Sequence, residues 1–512
     1  MQRHHLILLL IFVGFLLLAI PATGLIYHQD EYSWIMQFDG TDHSKPIHPP
    51  LYLFLGKTVG SVIGFDNLRW LTVPFAIANV ILVYAIAYAL SERRSVGLAA
   101  AGLFAFNAYS ILGATMIDID GALLPFFVLL AYYAYLRKWW WLLALALIGG
   151  FFAKLSFIIF LGALIADVLS RRLSRKTLPW IGGGAILVVG LYFLASHFLP
   201  DVVTYAQHYN IFNFATRSYA DLGYKLLKSF VFLGPLLMLG IFSSLREPEY
   251  FSRYRFWWLY LLFSFLFYVV IFDFATYTIE RYFLFMIAPM VIIAAESLMN
   301  MMRKIRTIPV LVALLVIATL FVPHDVIPLF PKTGFVDRIL SPSWNFLIPI
   351  MGGSGPVGFY VSALFVGLSW LLMAYALLWR KGTLFVLLGV GYTIVILQEF
   401  LFGGIYGSAN RVAWDTVNYI NANPEITRVN TYYDIAPYDL RVSGKYENRF
   451  YVTPKRDYTK SLEKYRLHYM IVHFPEIAPD DKHLALIKRC PVIQEFRDKR
   501  VYSEVYDCTK LP

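Results

Sequence analysis

The stretch "LILLLIFVGFLLLAIPATGLIYHQDEYSW", residues 6–34, decides what kind of chain this is. Residues 6–26 form an uninterrupted apolar run behind Arg3. A hydrocarbon core is crossed by about 20 apolar residues, so the run is long enough to span. Its tail "AIPATG" offers the small residues of a cleavable signal. The run nevertheless exceeds the usual signal core of about 7–15 residues, which predicts an uncleaved anchor. Directly beyond it stand two adjacent carboxylates, Asp30 and Glu31. Acidic residues at a helix start interact well with the helix dipole and are ordinarily solvated. Taken alone, the pair predicts such a cap. Companions on the same side of the membrane would make it the reacting end of an enzyme.

The rest of the chain repeats the first pattern. Of 512 residues, 59% are hydrophobic and 15% charged, and aromatic residues reach 17%. That balance excludes an ordinary soluble domain and predicts a polytopic membrane protein with much aromatic surface at the membrane–water interface. Further apolar segments lie near 71–90, 96–116, 121–136, 139–152, 154–169, 178–198, 229–245, 256–272, 282–300, 307–323, 356–379 and 383–402, giving about thirteen passes in all. The net charge of +11 is carried by short clusters between these runs and by the last hundred residues. No arginine-rich helix or interleaved basic–aromatic patch occurs, so nucleic-acid binding is not expected.

Those clusters set the orientation. "ERR" (92–94), "RK" (137–138), "RRLSRK" (171–176), "REPEYFSRYR" (246–255), "RKIR" (303–306) and "RK" (380–381) all fall on the side of Arg3. The positive-inside rule then predicts a cytoplasmic N-terminus and an extracytoplasmic C-terminal domain. Cys490 and Cys508, the only cysteines, lie close together in that polar segment. They are expected to form one disulfide, which needs an oxidising compartment and so indicates the same side. With this topology the external loops are 27–70, 197–228 and 324–355, together with 273–281 and "MIDID" at 116–120.

Two domains follow: a transmembrane domain over 1–402 and a small external α/β domain over 403–512. In the latter, "NRVAWDTVNYINANP" predicts an amphipathic helix stopped by Pro424. "RVNTYY", "RFYVT", "YMIVHF" and "VYSEVY" predict short strands, with helices near 457–467 and 480–489. No GxGxxG, P-loop or internal repeat occurs.

Several residues on the outer side could carry chemistry. "DHSKPIHPPLYLFLGK" places His43, Lys45 and His48 before a Pro-Pro turn that re-enters an apolar helix. The prolines fix the backbone and hold His48 near the membrane surface. In "ATMIDIDGALLPFF", Asp118 and Asp120 separate two apolar runs with almost no loop between them. Ionisable groups at that depth are costly and are held by a partner or a water-filled cavity; the alternative is a short external turn helped by Gly121. In "GGFFAKLSFIIF", Lys154 interrupts two apolar segments, where it could snorkel to headgroups or receive an anion as a point charge. In "TYTIERYFLFMIAP", Arg281 could pair with Glu280 or grip a phosphate. A divalent ion could assist these cations, with Asp30, Glu31, His43 and His48 as candidate ligands, although no HExxH-like spacing supports one.

Taken together, "DE" (30–31), "HPPL" (48–51), "DGALLPFF" (120–127), "FAKLSF" (152–157) and "ERYFLFMIAP" (280–289) resemble the C superfamily of glycosyltransferases. The nearest branch is that of protein O-mannosyltransferases and lipid A aminoarabinose transferases. The resemblance covers most of residues 1–300 and includes the thirteen-pass layout with an external C-terminal domain. It implies inverting transfer of a sugar from a polyprenyl-phosphate donor to an acceptor hydroxyl, on a lipid, glycan or protein, at the outer face of the membrane. The end "TKLP" shows no endoplasmic-reticulum retention signal, and on that ground a prokaryotic cell membrane is expected. The resemblance implies Asp30 as general base or as the residue that orients the acceptor, and Asp120 as a supporting acid in positioning or pKa tuning; Glu31 is read beside Asp30 as its helper in catalysis. Lys154 and Arg281 would contact the donor phosphate, with His48, Lys45, Asp118 and Glu280 as further substrate-binding candidates. The one cofactor left open is a divalent metal ion. A transporter or flippase of a lipid-linked precursor is the alternative; it favours charges along a mid-membrane path, whereas these gather on one face. A scaffold that recruits partners through the external domain is the third reading.

Overall fold

The computed structural model describes residues 3–27, 29–42, 48–171, 233–245, 248–271, 284–302, 363–379, 381–398, 408–432, 436–447, 466–473, 482–498 and 501–510, with a few isolated positions between them. The chain divides into two compact units. One comprises Met1–Thr23, Ile35–Phe321 and Val366–Leu397; the other comprises Gly24–Trp34, Val322–Phe365 and Gln398–Pro512.

The first unit is helical. Its opening elements are α1 (Arg3–Ala19), α2 (Gln29–Asp39, whose first turns belong to the second unit), α3 (Pro50–Ile63), α4 (Thr72–Ser91), α5 (Arg94–Ala105), α6 (Ala108–Thr115), α7 (Leu124–Arg137), α8 (Trp140–Ala153) and α9 (Ile158–Arg171). Apolar helices Pro235–Ser244, Arg255–Phe265, Leu284–Met302, Ala363–Leu378 and Gly382–Gln398 follow. Eleven of the thirteen expected segments coincide with apolar helices; 178–198 and 307–323 fall almost wholly outside the described residues. Among the described residues, three helices reach the length of an unaided span, and α5 with α6 makes a fourth, bent by 63°. The bend has a local cause. Asn107 leaves the helical conformation and its side chain accepts a hydrogen bond from the Tyr109 amide at 3.0 Å, which caps a new helix inside the apolar run.

Side-chain exposure identifies the solvent these helices suit. Leu9, Leu10 and Leu17 on α1, Leu145 and Ile148 on α8, and Leu371 and Leu378 on the helix Ala363–Leu378 all stand outward and exposed. An apolar exterior repeated on so many helices is matched to lipid and would aggregate in water. The 27–70 stretch, expected as a loop, holds α2, α3 and the short 3-10 helix Phe65–Leu71. Pro50 at the first helical position explains where α3 begins, since its missing N–H is one the helix leaves unbonded anyway. The expected loops 197–228 and 324–355 lie almost entirely outside the described residues.

The second unit contains a four-stranded sheet in the order β1-β2-β4-β3, built from β1 (Val429–Tyr432), β2 (His468–His473), β3 (Val492–Asp498) and β4 (Val501–Asp507). β1 runs parallel to β2, and the other pairs are antiparallel. The expected strands at "RVNTYY", "YMIVHF" and "VYSEVY" are β1, β2 and β4. β3 was not expected: it pairs on one side only and its residues are largely exposed, so its pattern lacks a buried face. "RFYVT" and nearly all of 457–467 lie outside the described residues. The amphipathic helix spans Ser408–Ala422. The Lys445 ammonium ends it, donating to the Ile420 and Asn423 carbonyls at 2.5 and 2.7 Å, where the helix dipole favours a cation. On the sheet, burial alone would push the Glu504 carboxyl up, but hydrogen bonds from His473 and Tyr506 outweigh it and hold the group below the usual range.

Cys490 and Cys508 are joined in a disulfide, packed with Leu467, Tyr469, Ile471, Ile487 and Tyr506. The bond closes a loop with a sequence separation of 18. Such a loop stabilises by about 3 kcal/mol in the chain-entropy model. Limited proteolysis in reductant should therefore open the region 408–512 well before the helical unit is cut; equal resistance with and without reductant would contradict this.

Candidate functional site

Asp118 and Asp120 have different tasks. After α6 the chain turns extended at Asp118, whose side chain accepts a hydrogen bond from the Asp120 amide at 3.3 Å. It thereby caps a single π turn, Ile119–Leu123, that leads into α7. A π turn inside an apolar run re-aims side chains and is frequent at functional sites. Here it turns Asp120 to Lys154, whose Nζ lies 2.5 Å from Asp120 Oδ2. Both side chains are nearly excluded from solvent, 5% exposed for Asp120 and 14% for Lys154. Lys154 does not snorkel; it is drawn inward by the carboxylate.

The backbone explains why these residues meet. Lys154 stands extended between α8 and the 3-10 turn Leu155–Phe157 that opens α9, so the apolar run breaks at the lysine. Opposite it, Gly113 of α6 and Gly121 of the π turn approach backbone to backbone. A Cβ on Gly113 would lie 2.4 Å from the Gly121 carbonyl oxygen, and one on Gly121 would lie 2.7 Å from that of Gly113. Only glycine permits that approach. From α4, Asn79 Nδ2 donates to the Ala122 carbonyl at 2.9 Å, a second fastening of the same turn.

Arg69 is fully buried in the 3-10 helix Phe65–Leu71. The neighbouring Thr72 hydroxyl lies 2.8 Å from the Arg69 carbonyl and 2.7 Å from the Ala114 carbonyl. It thus ties the turn carrying Arg69 to α6, the helix that runs into Asp118. Nothing in the residue pattern signals this burial, because the contact joins positions about forty residues apart.

The far end of the helical unit holds two more buried acids absent from the sequence reading. Glu296 receives both of its oxygens' contacts at 2.8 Å from Arg253 Nη1, and Tyr254 donates to it at 2.8 Å. Arg93 stands 3.7 Å away. Asp167 pairs with Arg255 at 3.0 Å. Asp167 is nine residues beyond Ile158, the start of α9, about 14 Å along that helix at the helical rise, and Lys154 precedes it. The arginines of the basic clusters thus brace the helices at one end, and the Asp120–Lys154 pair occupies the other. Lone acids within "LIADVL" and "IAAESL" were the available signal.

In the second unit, Asp30 and Glu31 occupy the first turn of α2. Glu31 is only 1% exposed, so the solvated-cap expectation fails for it: neighbouring side chains of the fold exclude water there. His48 is half-buried just before Pro49, the N-cap of α3. His43, Lys45, Glu280 and Arg281 lie outside the described residues. Among the described residues no three of His, Cys, Asp or Glu gather as a metal site would require.

No protein-family model matches the chain, and no curated protein sequence does. Solved structures do. The crystal structure of ArnT from Cupriavidus metallidurans bound to undecaprenyl phosphate superposes with a TM-score of 0.52 over 97% of each chain, at 16% identity. The chain carries the ArnT fold. The apo state of ArnT gives a TM-score of 0.47 at 16% identity, over 96% of this chain and 97% of that one. The oligosaccharyltransferase of Archaeoglobus fulgidus gives 0.45 at 13% identity, over 92% of this chain and 69% of that one. Coverage of nearly the whole of both chains means that the ArnT fold includes the helical unit and the C-terminal sheet alike. The anticipated architecture, a largely helical chain with apolar helices and a small C-terminal α/β part, is therefore the one this fold has.

Proposed function

We propose that the chain is an inverting glycosyltransferase that moves a sugar from a polyprenyl-phosphate donor to an acceptor hydroxyl on a lipid, glycan or protein. The observation that supports it most is the likeness, over 97% of each chain, to an ArnT structure that holds undecaprenyl phosphate. The buried Asp120–Lys154 pair adds a cation poised for a phosphate. In this reading the reaction takes place on the outer face of the membrane, with the N-terminus cytoplasmic, an orientation supported by the distribution of basic clusters.

The chemistry needs few parts. A polyprenyl phosphate leaves readily, so no general acid is required; a base at the acceptor and cations at the departing phosphate suffice. In this reading the Asp30 carboxylate takes the acceptor proton while the oxygen attacks the anomeric carbon opposite the phosphate. The carbon–oxygen bond to phosphate breaks, and its electron pair leaves on the polyprenyl phosphate. The proton then passes from Asp30 to water. Lys154 and Arg281 stabilise the phosphate, and Asp120 holds Lys154 until the donor shares its charge.

The test offers purified protein a panel of polyprenyl-phosphate sugars and measures release of polyprenyl phosphate. Release from one member is expected, with Asp30→Asn lowering the rate by about 10²-fold or more, as loss of a positioned base does. Full activity in Asp30→Asn would remove it from the role of base. No release from any donor would overturn the transferase reading.

A further inference from the structure

The acidic segment belongs, by packing, with the C-terminal sheet domain rather than with the helix that precedes it. Residues Gly24–Trp34 and Gln398–Pro512 form parts of one compact unit. The contacts are aromatic. The Tyr27 ring meets Tyr438 edge-on at 5.1 Å, and the Tyr32 ring meets Tyr446 edge-on at 5.7 Å. The Arg441 guanidinium lies over the Tyr32 ring, 5.7 Å from its centre. Tyr27 and Tyr32 are both 4% exposed, and Glu31 between them is 1% exposed. Asp30 and Glu31 are therefore bracketed by two anchored tyrosines.

We propose that Arg441 and Tyr446 are positioning residues: they clamp Tyr32 so that the Asp30–Glu31 turn is held in one place by the C-terminal domain. The local chain supports the assignment. Arg441 lies in the last turn of a short helix, Pro437–Val442, whose start is fixed by Pro437 and by Ala436 in the left-handed region (φ 60°). Its backbone is thus set before it reaches Tyr32. A guanidinium on an aromatic face gains about 0.5–2 kcal/mol, more when water is excluded, and edge-on ring pairs add to this. The acidic turn and the residues that clamp it then belong to one domain.

The test uses the full chain in lipid nanodiscs, with Arg441→Ala, Arg441→Lys and Tyr446→Leu. Arg411→Ala serves as control, since Arg411 pairs with Asp498 at the surface of the same domain. Two readouts are taken. Amide exchange over 26–34 should quicken by about tenfold in Arg441→Ala while β2 and β4 keep their protection. Arg441→Lys retains a cation for the ring and should restore most of it. In the release assay, kcat should fall by about tenfold with KM within about twofold, as misplacement of a reacting group does; this half rests on the transferase reading. Unchanged exchange over 26–34 in both Arg441→Ala and Tyr446→Leu would overturn the clamp. So would equal loss of protection across the whole domain, which is the mark of a merely structural role. A wild type that releases nothing would defeat the transferase reading and leave exchange to decide the clamp.

Discussion

Lys154→Met should abolish polyprenyl-phosphate release and destabilise the helical unit by about 3–5 kcal/mol, the cost of leaving a buried charge without its partner. The reason is the 2.5 Å pair between Lys154 Nζ and Asp120 Oδ2, with both side chains largely excluded from water. Methionine fills the aliphatic volume but takes the ammonium away from the buried carboxylate. The double variant Asp120→Asn with Lys154→Met separates structure from chemistry. It removes both charges, so most of the stability should return. Activity should not return if Lys154 is the cation for the phosphate, as proposed above. Thermal unfolding in detergent together with the release assay reads both outcomes. An active double variant would show that the pair only braces the helices.

Gly121→Ala should be nearly as damaging without removing any functional group. Its new Cβ would lie 2.7 Å from the Gly113 carbonyl oxygen, a backbone atom that cannot rotate away. The π turn must move outward, at about 1–3 kcal/mol for overpacking of this kind. Asp120 is the preceding residue, so the displacement reaches the ion pair directly. Lower thermal stability and a large loss of kcat are expected together. Gly113→Ala tests the same contact from the other side, at 2.4 Å from the Gly121 carbonyl. Wild-type behaviour in both variants would mean that the two backbones separate at no cost, and would refute the close-packing account.

The two variants differ in an instructive way from Asp30→Asn. That substitution should leave stability nearly unchanged and affect turnover, whereas the Lys154 and Gly121 changes strike fold and function together.

Much of this was legible in the residues. Apolar runs of spanning length have one stable solution in lipid, the helix, because every backbone polar group must bond within its own segment. Eleven of thirteen segments could be placed without coordinates for that reason. Two cysteines in one polar segment have only one partner each, so Cys490–Cys508 was also accessible. Strands β1, β2 and β4 showed themselves by apolar β-branched and aromatic runs, while β3 did not, because an exposed edge strand has no buried face to write into the sequence.

What tertiary structure decided was which charged residues meet. Asp120 and Lys154 are 34 positions apart, Glu296 and Arg253 are 43 apart, and Arg69 is buried by elements that local pattern does not connect. The sequence by itself determined the lipid-suited helices, the polar C-terminal domain and the list of candidate acids and cations, since those follow from transfer energies and local periodicity. Only the folded chain decided that Asp118 caps while Asp120 pairs, that Glu31 is dry, and that the acidic turn is gripped by Arg441 and Tyr446. Pairings of this kind depend on π turns, helix breaks and glycine contacts that set direction in space, and direction has no signature in composition.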